Sequence, residues 1–382
     1  MNNHRLLTGL LAAALSGAWV CAVANTDSTA ISLEEIFEIA ERNSIQLRTS
    51  FSAEDEARHQ ISVARAGRLP DINASLSFSY IGDGFTTRRD FSDYQKAPIP
   101  HYGNALSISV SQPLYTGGAI TSGIELADLK LTASRYATEL KRDNIRFQIT
   151  GFYLDIYKYS NLREVVEQNM ARARKVLDEM HARYEQGVAL RNDITRYELL
   201  VSNLGLQLVK INNTLDILNN NLVTIAGLPD GTVVIPDSAI LDRSVAPVSE
   251  DTWQSEAAAN SPSIMLARSQ VDISRKAEKL TRSERLPKIG LQAGWSIDGP
   301  ILVEVPPINR NLSYWYVGLG LSYNISSLFK TNKAIARSKA ATLNATDMLA
   351  AACENTGLAV RADYTRYLEA YEELNTQIKS VE

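Results

Sequence analysis

The chain makes the same abrupt switch twice. It reads "RLPDINASLSFSY" from Arg68 to Tyr80 and "RLPKIGLQAGWSI" from Arg285 to Ile297. Each copy follows a long helical stretch and turns at once into strand-like alternation. A shift of 217 lays residues 40–80 on 257–297 without a gap. Ala40 meets Ala257, Asn43 meets Asn260, Ser44 meets Ser261, Arg58 meets Arg275 and Ile72 meets Ile289. Farther on, the offset shortens to about 211, where Tyr153 faces Tyr364. A period this long does not suit stacked short repeats, so each copy is a domain-sized unit.

Each unit opens with a helix, expected over 33–68 and about 251–285. Ser32 caps the first, and Glu35 three residues on completes a capping box. Proline ends each helix, because the residue before it is pushed to extended geometry. Two strands follow in each unit. Leu76, Phe78 and Tyr80 alternate with Ser75, Ser77 and Ser79; Leu106, Ile108 and Val110 alternate with Ser107, Ser109 and Ser111. In the second unit Leu291, Ala293, Trp295 and Ile297 alternate with Gln292, Gly294 and Ser296. Trp315, Val317, Leu319, Leu321 and Tyr323 alternate with Tyr316, Gly318, Gly320 and Ser322. A period of two gives each strand one apolar and one polar face. The segments 82–104 and 298–312, between the strands, read as loops.

A helix is expected over about 119–184 and a return helix over about 190–226, closed by Gly227 and Pro229. The return helix keeps 3-4 spacing through Ile194, Tyr197, Val201, Leu204, Leu208, Ile211, Leu215, Leu218, Leu222 and Ile225. That is a coiled-coil seam. The outgoing helix matches it near the turn with Met170, Ala173, Leu177, Met180 and Tyr184. The short connection makes the two an antiparallel hairpin.

Residues 1–24 read as a secretory signal peptide. The start is weakly basic, the apolar run from Leu6 to Val20 is too short to span a bilayer, and Ala22-Val23-Ala24 fits the cleavage rule. Cys21 invites a lipid anchor, but Trp19 and Val20 are bulky where such a site wants small residues. Past the signal only Cys353 remains, so the mature chain forms no disulfide within itself. No later run is long and apolar enough for a membrane helix, which leaves the weaker signal of a membrane strand open.

Net charge is −4, with no dense run of Lys and Arg, so nucleic acid is not an expected partner. The four histidines stand apart, without metal-ligand spacing, and no phosphate loop or nucleophile elbow is present. No catalysis and no cofactor are expected.

The strands' polar faces are almost all Ser, Gly, Thr and Gln, which suits a watery lumen, with the apolar faces toward lipid. Four strands cannot close a barrel, and open edges cannot sit in lipid. Three chains would supply twelve strands. The fold class expected is therefore mainly α with membrane β-strands: a trimeric 12-stranded barrel continued by long coiled-coil helices.

This arrangement resembles the TolC-like outer-membrane efflux and secretion channels over residues 31–382. The carriers are the duplication, "RLP" before the first strand of each unit, "SQPLYTGG" at 111–118, "AGLP" at 226–229 and "RYEQGVALRNDITRYELL" at 183–200. The last fits the family's R-Y-x-x-G-x-x-x-x-x-D pattern through Arg183, Tyr184, Gly187 and Asp193. The resemblance implies a homotrimer in the outer-membrane lipid with its helices in the periplasm. It implies a passive duct served by an inner-membrane pump and a periplasmic adaptor (a membrane fusion protein). Tyr184, Gly187 and Asp193 would form the periplasmic tip that meets the adaptor. Leu76, Phe78, Leu106, Ile108, Trp295, Val317 and Leu319 would face lipid. Ser75, Ser77, Ser107, Ser109, Gly318 and Gly320 would face the lumen.

The alternative is a soluble periplasmic adaptor with a coiled-coil hairpin. It explains residues 150–226 but neither the duplication nor the four alternating strands. The repeats divide the chain into 25–250, with helix, two strands, hairpin and an equatorial linker, and 251–382. By the duplication Glu382 corresponds to about Ala171, so the second unit is expected to lack a return helix and to leave a seam exposed over 364–382.

Overall fold

In the computed structural model, residues 29–237, 248–304 and 306–381 are described. The signal peptide expected at 1–24 lies outside them. The described residues form two compact units: those of 1–48 with 142–244, and those of 49–141 with 245–382.

The helix expected over 33–68 is two helices, α1 (Leu33–Asn43) and α2 (Ile45–Ala66). Its counterpart is also broken, into α5 (Glu250–Asn260) and α6 (Pro262–Ser283). The breaks fall at Ser44 and Ser261, which the duplication superimposes. Their backbones agree closely, φ −60°, ψ 119° and φ −61°, ψ 121°. In the second copy Pro262 gives the cause: the residue before proline is driven out of the helical region. The first copy keeps the bend with Ile45 in that place.

The first unit's core gathers α1, α3 (Ala119–Glu185) and α4 (Arg191–Ala226). Ile36, Ile149, Leu222 and Ala226 are fully buried, with Leu33, Ala40, Ile145 and Ile156 around them. Residues 145–156 and 222–226 meet on either side of a five-residue turn, so α3 and α4 run antiparallel. The whole 3-4 seam of α4 is buried or half-buried, while Leu199, Leu206, Val209 and Ile217 off the seam are exposed. Tyr153 ties the core to a feature absent from the sequence reading, the parallel pair β1 (Thr29–Ile31) and β6 (Val234–Pro236). Its hydroxyl donates to Ile31 O at 3.0 Å and accepts from the Asp237 N–H at 2.7 Å. Burial pushes its phenol above the usual tyrosine range. Gly227 ends α4 in the left-handed region, φ 71°, against the break after α1. A Cβ there would lie 2.6 Å from Asn43 O.

The second unit holds a four-stranded antiparallel sheet and α7 (Ser327–Val381). Its strands are β2 (Asp71–Tyr80), β5 (Tyr102–Tyr115), β7 (Lys288–Gly299) and β8 (Leu312–Ser322), in the spatial order β2-β5-β7-β8. The segment expected as a plain loop over 82–104 contains a small hairpin, β3 (Gly84–Thr86) with β4 (Gln95–Ala97). Lys276 on α6 reaches Glu125 on α3 at 2.8 Å.

Candidate functional site

Two surfaces carry the residues singled out in the sequence. The first is the sheet. Register fixes its faces, since residues directly opposite in paired strands share a face. Leu76 pairs with Leu106, Leu106 with Ile297, Ile108 with Trp295, Trp295 with Trp315, Ala293 with Val317 and Leu291 with Leu319. Leu76, Phe78, Leu106, Ile108, Trp295, Val317 and Leu319 therefore lie on one face. Ser75 pairs with Ser107, Ser107 with Ser296, Ser109 with Gly294, Gln292 with Gly318 and Gly290 with Gly320. Ser75, Ser77, Ser107, Ser109, Gly318 and Gly320 share the other.

The polar face is knitted by its own hydroxyls, with Ser75 Oγ 2.8 Å from Ser107 Oγ. It is not uniformly small, because Tyr314 and Tyr316 of β8 lie on it. Tyr316 covers the space that Gly294 leaves, where a Cβ would come within 2.7 Å of the ring. The apolar face is bare: Phe78 is 78% exposed and Leu319 71%. Leu76 and Val317 are each 62% exposed as well, while Leu106, Ile108 and Trp295 are partly covered. Burying a large apolar side chain is worth about 1.5–3 kcal/mol, so the four largely exposed ones forgo on the order of 6–12 kcal/mol in water. Among the described residues, β2 pairs only with β5 and β8 only with β7, so the sheet has two open edges. An open edge is a template for another strand.

The second surface is the turn between α3 and α4. Gly187 has φ 77°, and nothing stands within 4 Å of where its Cβ would be. Its N–H donates to Tyr184 O at 2.9 Å, and the Val188 N–H to Arg183 O at 3.0 Å. These two bonds close the end of α3 as a Schellman motif, which calls for glycine at that position. Asp193 secures the next helix: its Oδ2 accepts the Leu190 N–H at 3.1 Å. Gly187 and Asp193 thus build the turn's backbone, while Tyr184 is about half exposed. The sequence reading passed over Val188 and Leu190, each 72% exposed. The turn, closed by these backbone hydrogen bonds, exposes two apolar side chains. Among the described residues no cluster of three His, Cys, Asp or Glu side chains is placed to hold a metal ion.

The comparisons with known proteins concern the family and the fold. The family model described as outer membrane efflux protein matches residues 37–228 and 253–382. The pyoverdine export outer membrane protein OpmQ of Pseudomonas putida is 24% identical, over 68% of this chain and 55% of its own length. The alkaline protease secretion protein AprF of Pseudomonas aeruginosa is also 24% identical, over 77% of this chain and 60% of its own. The chain thus spans little more than half the length of these relatives. Among solved structures, a membrane protein from Pseudomonas aeruginosa aligns with TM-score 0.69 at 18% identity, over 91% of this chain and 79% of that one. The outer membrane protein VceC of Vibrio cholerae gives TM-score 0.67 at 14% identity, over 91% and 80%. These likenesses establish the fold. The relatives named are export and secretion proteins, which supports the channel reading and not the soluble adaptor.

Proposed function

The chain belongs to the outer membrane efflux protein family, and from that premise we propose that it is the outer-membrane duct of an efflux or secretion assembly. Three copies close a 12-stranded barrel, β8 of each pairing with β2 of the next. The observation that carries this reading is the sheet, with its bare apolar face, its hydroxyl-lined polar face and its two open edges. Lipid covers the first face, water fills the second, and the neighbouring copies satisfy the edges, as a membrane barrel requires.

The long helices continue the duct into the periplasm. The turn at 186–190 reverses the chain between its two long antiparallel helices, and it forms the tip that meets a periplasmic adaptor, itself joined to an inner-membrane pump. Transport through the duct is passive, without catalysis and without a cofactor. Cargo is chosen by the pump.

Paired substitutions on adjacent residues test the barrel. Ile108→Arg puts a charge on the lipid side and costs about 2–4 kcal/mol near the bilayer midplane. Ser109→Arg faces water, leaves the trimer intact and changes single-channel conductance. Equal behaviour of the two variants rejects the assignment of faces. For the tip, single cysteines at 187–191 in a Cys353→Ser background should cross-link to the adaptor in cells. Labelling only by reagents confined to the cell surface would invert the topology.

A further inference from the structure

The sequence has no dense run of Lys and Arg, yet the fold assembles one from three elements. Lys279 and Arg282 come from the end of α6, Arg285 from the turn before β7, and Asn332 and Lys339 from the start of α7. All five line one open cavity of about 790 Å³. The first twenty residues of α7, 327–346, hold four cations and no acid. The first twenty of α3, 119–138, hold Glu125 and Asp128 against Lys130 and Arg135. The basic character therefore belongs to the second repeat's junction of strand and helix and is absent from the first.

The cations in the cavity are not neutralised alike. Arg282 is tied to Glu278. Arg285 donates one Nη to Asn332 Oδ1 at 2.8 Å and to Leu328 O at 3.4 Å. Its Nε is buried and has no acceptor. A buried donor left unmade is costly, and an anionic oxygen is the acceptor that best relieves a guanidinium. Lys279 and Lys339 are exposed and form no ion pair among the described residues. Lys279 also acts on the Glu125 carboxylate, which Lys276 holds. One guanidinium with a spare donor and two exposed ammonium groups suit a tetrahedral phosphate.

The surroundings select the source of that phosphate. Leu286 and Leu328, 43% and 38% exposed, line the same cavity. A free phosphate gains nothing from apolar neighbours, whereas a phospholipid brings its acyl chains with its headgroup. The cavity also sits where β7 begins, at Lys288, and shortly after β8 ends, at Ser322. We propose that this junction binds the phosphate of an anionic phospholipid headgroup, holding the foot of the second repeat's strands at the level of the membrane surface. The proposal rests on the reading of the strands as membrane strands.

The full chain in detergent is titrated with phosphatidylglycerol and, separately, with phosphatidylcholine, and bound lipid is counted by native mass spectrometry. Phosphatidylglycerol should be retained preferentially. Near a membrane surface each lysine contributes about fivefold to the binding of anionic lipid, so Lys279→Gln with Lys339→Gln should weaken it about twenty-five-fold. The control pair Lys175→Gln with Lys210→Gln should bind as the parent does. Parental binding by the double variant overturns the site, as does displacement of the lipid by an equal concentration of inorganic phosphate. Conductance across pure phosphatidylcholine bilayers is measured in parallel. Insertion with equal binding of both lipids overturns the lipid site alone, and failure to insert overturns the strand reading together with it.

Discussion

α1 and α5 occupy equivalent places in the two repeats and end at superimposable breaks, yet they are embedded very differently. Leu33, Ile36 and Ala40 of α1 are buried against α3 and α4, whereas α5 has no buried residue and its Trp253 is half exposed. The bend therefore occurs with and without a surrounding core: Pro262 sets it in the second copy, whereas in the first Ser44 is buried and Gly227 packs against Asn43. Burial is the property of the partner: α4 supplies Leu222 and Ala226 to the first unit's core. Helices of the same length and the same closing bend are buried or exposed according to what lies against them.

The largest break in this contrast should come from the core. Leu222→Ala removes a fully buried side chain and should cost about 2–5 kcal/mol, against about 1 kcal/mol or less for Trp253→Ala. Urea unfolding of the full chain in detergent, followed by circular dichroism, measures both. Equal costs would mean that α5 is as firmly held as α1. Next come two glycines of matching conformation. Gly187→Ala meets open space and should cost about 1 kcal/mol, from the left-handed backbone alone. Gly227→Ala adds a clash with Asn43 O and should cost at least about twice as much in the same measurement.

Smaller is the difference between the two caps. Ser32 and Glu35 make both bonds of a capping box, whereas Ser249 accepts the Thr252 N–H at 3.4 Å and shares a 2.8 Å bond with the Thr252 hydroxyl, without the reciprocal bond of a Glu at that place. Ser32→Ala should cost about 1 kcal/mol and Ser249→Ala about half that, read as shifts in the unfolding midpoint. The smallest effect concerns acid. The hydrogen bond from Lys276 holds the Glu125 carboxyl below its usual 4.5. Its contribution to stability is complete above that value and fades as pH falls through the lowered one. In the first repeat His59, at the place of Lys276, reaches only Asp55 of its own helix, at 3.5 Å. Lys276→Met should flatten the midpoint's acid dependence below pH 4.5, and His59→Gln should leave that limb in place.

The sequence was most informative where a period is long and strict. The α4 seam, the ends of α3 and α4, the two strands of each repeat and the sorting of serines from leucines could all be read from spacing. The breaks at Ser44 and Ser261 were missed because the helical pattern continues through both. Pro262 was the available signal, and the duplication would have carried it back to Ser44. The pairs β1–β6 and β3–β4 are three residues a strand, too short to show a period. The exposure of Val188 and Leu190 was hidden because an apolar residue in a turn has no signature of its own. The basic cavity was hidden because its cations, at 279, 282, 285 and 339, come together only through the packing of α6 on α7.

The turn between α3 and α4 has one more consequence. Every hydrogen bond that sets its shape runs through the backbone or through the Asp193 carboxylate, and none involves the side chain of Val188 or Leu190. The hinge and the handle are separate parts. Bulk, charge or polarity at those two positions should leave the hairpin's stability unchanged, so the chemistry of the outer face of the turn is uncoupled from the helices behind it.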